Sequence, residues 1–166
     1  MTTSPRRPRI LVAGIGNIFL GDDGFGSEVL RQLPGRLGSE SVRVTDYGIG
    51  GMHLAYDLLE EWDALVLVDA LPNRGSPGTL HVFEADHGSL APTPGLDAHS
   101  MDPAAVFASL NALGGVAPRT IVVGCEVADV ADEMGLSEPV RAAVPDAVAA
   151  VESAVAMLVD AAAREV

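Results

Sequence analysis

The sequence predicts an α/β fold built on a single doubly wound, mostly parallel sheet with helices on both faces. Three observations predict it. Strand-like runs recur at Ile10–Ala13, Ala64–Val68 and Thr120–Val127, and Ala64–Val68, apolar throughout, reads as a strand buried on both faces. Stretches with apolar residues at helical spacing lie between these runs. The resulting order, β-α-β-α-β-β-α-β-α, gives helices on both sides of the sheet once every crossover is right-handed.

Residues 1–8 read as a disordered arm, and 9–166 as one domain. The first strand is Arg9 to Ala13, ending in the tight turn Gly14-Ile15-Gly16-Asn17, where glycine allows positive φ and close backbone approach. A helix starts near Gly24; Phe25, Val29, Leu30 and Leu33 share a face, and Pro34-Gly35 ends it. The second strand is Val42 to Thr45, followed by Asp46-Tyr47-Gly48-Ile49-Gly50-Gly51 and a helix over Met52–Glu61 with Leu54, Leu58 and Leu59 inward. The third strand, Ala64–Val68, runs into Asp69. Leu80–Phe83 is a short strand with room to be antiparallel. Glu84–Ser100 is a long loop without periodicity, of the kind that serves function or moves. Asp102 is placed to cap a helix whose first residue is Pro103 and which runs to Leu113. After the strand at Thr120–Val127, Ser137 reads as the cap of a short helix. Pro145 then opens the last one, with Val144, Val148, Val151, Val155, Leu158 and Val159 in one stripe.

Composition narrows the chemistry. A net charge of −13 argues against nucleic acid, whose phosphates need clustered cations. All ten cations are arginine, which removes every lysine-dependent mechanism, Schiff base and P-loop included. One cysteine, Cys125, allows no intramolecular disulfide and no multi-cysteine zinc site; it lies in mid-strand and reads as buried and structural. The N-terminus lacks a signal-peptide core. The most apolar stretch, Val144–Ala163, is interrupted by Asp146, Glu152 and Asp160, so no membrane span is expected and the protein reads as a cytoplasmic monomer.

The candidate site lies at the carboxyl ends of the strands, where ligands bind in doubly wound sheets. A dinucleotide is a poor fit. Gly14-Ile15-Gly16 begins a G-x-G-x-x-G pattern, but Phe19 replaces the third glycine and two aspartates occupy the loop meant for a pyrophosphate. H-E-x-x-H and G-x-S-x-G are absent. Asp23, Asp46 and Asp69 each follow a strand, and His99 lies in the long loop on the same side. Two carboxylates and an imidazole at one point would bind a divalent transition metal with positions left open. By pattern alone the plainer reading is favoured: Asp23 as a helix cap, Asp69 as a turn residue and His99 as a loop histidine. His53, His81 and His87 have no motif and read as exposed or structural.

The chain resembles the hydrogenase maturation endopeptidases, which trim the C-terminal extension of nickel–iron hydrogenase large subunits. The likeness runs nearly the whole length, through ILVAGIGNIFLGDDGFG, DYGIGG at Asp46–Gly51, LVLVDAL at Leu65–Leu71, Asp-Ala-His at His99, VVGCEVAD and GLSEPV at Gly135–Val140. It implies that Asp23, Asp69 and His99 are the catalytic, metal-binding side chains. The partner is then the large-subunit precursor, whose own bound nickel signals completed insertion; whether the isolated protein binds another divalent metal is left open by the sequence. Asp46, Gly48, Gly50 and Gly51 would seat the substrate tail, or simply form a strand-to-helix turn. Two other readings remain: a non-catalytic chaperone that holds the metal-loaded precursor, and a small-ligand protein using the same crevice.

Overall fold

The computed structural model describes residues 7–33, 37, 40–86, 103–128 and 133–164. Its five strands are β1 (Ile10–Ile15), β2 (Val42–Gly48), β3 (Ala64–Leu71), β4 (Leu80–Glu84) and β5 (Arg119–Glu126). The helices are α1 (Phe25–Arg31), α2 (Gly51–Asp57), α3 (Pro103–Ala112) and α4 (Glu138–Arg164), with a 3-10 turn at Gly21–Gly24. The strands form one sheet in the order β2-β1-β3-β5-β4. All pairings are parallel except β4 with β5.

Alternate residues of the central strands feed two cores, as the two-residue period of a strand requires. On one face Ile10, Val12, Val66, Val68 and Val123 pack with Phe25, Val29 and Leu33 of the α1 segment and with the apolar side of α4. On the other, Leu11, Ala13, Leu65, Leu67 and Val122 pack with Leu54 and Leu58 of the α2 segment and with Val106, Phe107 and Leu110 of α3. The doubly wound fold is therefore as the sequence predicts, and the short strand is antiparallel.

Several boundaries differ, each for a tertiary reason. β2 and β3 run further than their apolar runs, because Gly14 pairs with Asp46 and Leu71 with Glu126. Asp46 and Asp69 thus lie within strand ends rather than beyond them. α2 stops at Asp57, and Leu59, expected inward, is 46% exposed. The separate helices expected around Ser137 and Pro145 are one helix of 27 residues with Pro145 inside it. A mid-helix proline costs about 3 kcal/mol. Burying Val144, Val148, Val151, Val155 and Leu158 contributes roughly 1.5–3 kcal/mol each, so the stripe outweighs the break. Pro145 sits on the exposed side, where water can take the carbonyl that its missing N–H leaves free. Glu138–Arg164 also reaches the length and hydropathy of a bilayer span, contrary to the expectation from its charges; in this fold its apolar side is covered by the sheet. Residues 1–6 of the arm expected at 1–8, and the cap residue Asp102, lie outside the described residues.

Candidate active site

The strand order creates one crevice. From β1 the chain passes through α1 to β2 on one side, then crosses through α2 to β3 on the other. The carboxyl ends of β1 and β3 are where these connections diverge, and that switch point is where doubly wound sheets bind ligands. Gly14 pairs with Val68 there. Asp69 is the next residue of β3, and Asp23 stands on the turn that leaves β1.

The turn is held by close approaches. Gly16 has φ +138°, and a Cβ on it would lie 2.0 Å from the carbonyl oxygen of Asp23. A Cβ on Gly26 would lie 2.6 Å from the oxygen of Val68 and 2.8 Å from that of Ile15. Only glycine at these positions lets the start of α1 settle onto the ends of β1 and β3. The Asn17 side-chain oxygen accepts the Phe19 N–H at 2.9 Å, and the Leu20 carbonyl accepts the Asp23 N–H at 3.0 Å.

The two adjacent aspartates do different things, and neither caps a helix. Asp23 is half-buried; its Oδ2 accepts the Asn17 N–H at 2.8 Å. Its Oδ1 has no hydrogen-bond partner among the described residues and is open to a ligand. Asp22 is wholly buried. Its Oδ1 accepts the Ser137 N–H at 2.6 Å, and its Oδ2 accepts the Ala128 N–H and the Ser137 hydroxyl, both at 2.8 Å. Ser137, expected to cap a helix, gives its hydroxyl to Asp22 instead.

Asp69 is 7% exposed, near the carboxyl end of β3 opposite Gly124. Asp46 is exposed; its Oδ1 accepts the Ser27 hydroxyl and the Gly48 N–H, both at 3.0 Å. Gly48 has φ +54° and its carbonyl accepts the Gly16 N–H at 2.9 Å, which joins the β2 and β1 turns into one rim. Gly50 donates to Tyr47 O at 2.8 Å, and Gly51 is buried in the first turn of α2. The structure thus brings Asp23, Asp46 and Asp69 to one end of the sheet. The third expected ligand, His99, lies outside the described residues, as does His87. Among the described residues no group of three or more His, Cys, Asp or Glu is arranged to hold a metal.

Two further acids have roles that the sequence did not assign. Glu126 ends β5 at 4% exposure. It accepts the Arg74 N–H at 2.8 Å, the Ser76 N–H at 3.3 Å and the His81 Nε2 at 2.8 Å. The His81 contact first, then the Arg74 N–H, hold its carboxyl below the usual range. It pins the β3–β4 loop beside the crevice, as Asp22 pins the segment before α4. The only legible hint for Glu126 is an acid at the end of a buried apolar run; Asp22 was visible as half of the acidic pair before Gly24, but its inward role was not. Cys125 is fully buried, and burial first, then the Asp22 and Glu126 charges, push its thiol up to about 11. It is structural, as read from the sequence, and unfit as a nucleophile at neutral pH.

Residues 28–154 match the hydrogenase maturation protease family. The chain is 34% identical over 152 residues to a hydrogenase delta subunit of Methanothermobacter thermautotrophicus, covering 87% of this chain and 92% of that protein. It is 32% identical over 149 residues to a putative hydrogenase maturation protease of Methanocaldococcus jannaschii, covering 86% and 94%. Among solved structures, the hydrogenase maturating endopeptidase HybD from Escherichia coli superposes with a TM-score of 0.75 at 26% identity, covering 90% of this chain and 93% of that one. With the same five-stranded fold and a family match over most of its length, this chain belongs to the hydrogenase maturation proteases.

Proposed function

We propose that this protein is the endopeptidase that removes the C-terminal extension of a nickel–iron hydrogenase large subunit after nickel insertion. It would act as a cytoplasmic monomer. The observation that carries the reading is the placement of Asp23 and Asp69 on the two sides of the switch point, in a chain of this family. The substrate is the precursor with its nickel already in place, and the nickel is part of what is recognised. Asp23 and Asp69 offer oxygen ligands and His99 a nitrogen ligand, a donor set suited to a divalent transition ion with positions left for substrate groups. The same donors suit another divalent cation in the isolated protein.

This donor set explains how insertion is sensed. Two carboxylates at one sheet end gain from a cation placed between them, and a nickel-free precursor brings none. Cleavage adds a water oxygen to the scissile carbonyl carbon, and the amine leaves with a proton. Water attack fits a site without a conventional nucleophile: Cys125 is buried with its thiol pushed up to about 11, and the Ser137 hydroxyl is committed to Asp22. The nickel supplies positive charge near the carbonyl or a fixed point that orients the chain. Asp46 and the turn from Gly48 to Gly51 form the rim over which the substrate tail passes.

The test is incubation of the protein with nickel-loaded and nickel-free precursor, read by the mass of the large subunit. Loss of a C-terminal peptide from the loaded form alone is expected. Equal cutting of the nickel-free form refutes nickel sensing. Binding of the loaded precursor without any mass change supports the second reading, an assembly protein that holds the precursor. That reading is favoured by one observation, the relative named as a hydrogenase subunit.

A further inference from the structure

We propose that Asp22 is a positioning residue for the reaction: its buried carboxylate, clamped by Ser137 and Ala128, fixes the turn that aims Asp23 at the substrate. The inference rests on the reading of Asp23 as a substrate-facing carboxylate.

Asp22 and Asp23 lie on one four-residue 3-10 turn, Gly21–Gly24. At three residues per turn, neighbouring side chains point about 120° apart, so fixing one inward sends the next to the rim. A single such turn has no stability of its own, and its orientation must come from tertiary contacts. Asp22 supplies part of them, beside the packing of α1, which continues the turn from Phe25. The two Asp22 oxygens accept from the Ala128 N–H, the Ser137 N–H and the Ser137 hydroxyl, each more than a hundred residues away in sequence. Next to it, the Gly21 N–H donates to Glu133 O at 2.7 Å.

The clamp is anchored to something rigid. The Ser137 carbonyl accepts the Arg141 N–H at 2.8 Å, which ties Ser137 to the first turn of α4. Ala128 follows the end of β5. The Asp22 carboxylate therefore links the first turn of the longest helix and the end of β5 to the turn that carries Asp23. On the far side, Asp23 Oδ2 meets the Asn17 N–H, and the Asp23 carbonyl lies against Gly16. Asp23 is thus held between the Gly16–Asn17 turn and the Asp22 clamp, with Oδ1 left for the substrate.

Ser137→Ala removes one donor and keeps both backbone donors, so the fold survives. Ser137→Thr restores the hydroxyl. Val155→Ala, in the α4 core away from the rim, is the control for lost stability alone. Each variant is measured for kcat and KM on nickel-loaded precursor, and for the amide shifts of Asn17, whose N–H reports where the Asp23 carboxylate sits. For Ser137→Ala, the expected results are a kcat lowered about tenfold, KM within about twofold, and a displaced Asn17 amide. Ser137→Thr should recover both readouts, and Val155→Ala should disturb neither. A Ser137→Ala protein with an unmoved Asn17 amide, or with unchanged kcat, overturns the proposal and leaves Asp22 as a staple of the fold. If the wild-type chain leaves the precursor whole, it is the proposed function that fails, and the Asn17 comparison still judges the clamp.

Discussion

Gly16→Ala is the sharpest probe of how the turn carries Asp23. Two effects add at this position. The backbone at φ +138° disfavours a side chain by about 1–2 kcal/mol. The new methyl would also sit 2.0 Å from the Asp23 carbonyl oxygen, where real contacts stay beyond 3.0 Å, so that oxygen must retreat by about 1 Å. Overpacking of this kind costs about 1–3 kcal/mol more. Gly75 separates the two effects, since it has φ +109° and a Cβ there would meet nothing within 4 Å. Thermal unfolding should therefore show a loss of about 2–5 kcal/mol for Gly16→Ala and about 1–2 kcal/mol for Gly75→Ala, at roughly 2–4 °C per kcal/mol for a chain of this size. Cleavage of nickel-loaded precursor per folded molecule should fall about a hundredfold for Gly16→Ala, because a displacement of about 1 Å at a reacting group has that effect; for Gly75→Ala it should not change. Equal Tm shifts for the two variants, or full activity of Gly16→Ala, would refute the reasoning.

Other outcomes follow from the same geometry. Asp23→Ala should abolish processing while shifting Tm by only a few degrees, as the side chain is half-buried and one hydrogen bond is lost; a large Tm loss would make Asp23 structural. Glu126 has its pKa lowered on folding, so its contribution to stability is full above the ordinary glutamate range and is lost as pH falls through its folded value. Glu126→Gln should accordingly flatten the acid limb of a stability–pH curve measured by urea unfolding, and an unchanged acid limb would show that the acid limb comes from other groups. With its thiol pushed up to about 11 and fully buried, Cys125 should react with a thiol reagent at pH 8 only as fast as the protein opens. Labelling that keeps pace with an unfolded control would contradict the buried strand.

The strands and their two-sided burial were legible because apolar runs such as Ala64–Val68 report burial directly. The ends were not. Whether β3 stops at Val68 or continues to Leu71 depends on whether Leu71 finds Glu126 to pair with. Pro145 reads as a helix start because local chemistry favours that; the continuous α4 wins through contacts the local sequence does not contain. The aspartate pair was visible as a motif, yet its pattern could not say which acid faces inward; only the family resemblance pointed to Asp23 for the site. That choice was made by Ser137 and Ala128, more than a hundred residues away.

By itself, then, the chain determined its class, its layered core and the end of the sheet where chemistry would gather. Periodicity and glycine placement are local properties, and each residue carries its own share of them. Only the tertiary structure decided that β3 lies against β1, which sets Asp69 and Asp23 on opposite sides of one crevice. It also decided that Asp22 turns inward while Asp23 is left with a free oxygen at the rim. Both decisions rest on pairings between distant segments, whose energy exists only once the whole sheet is assembled.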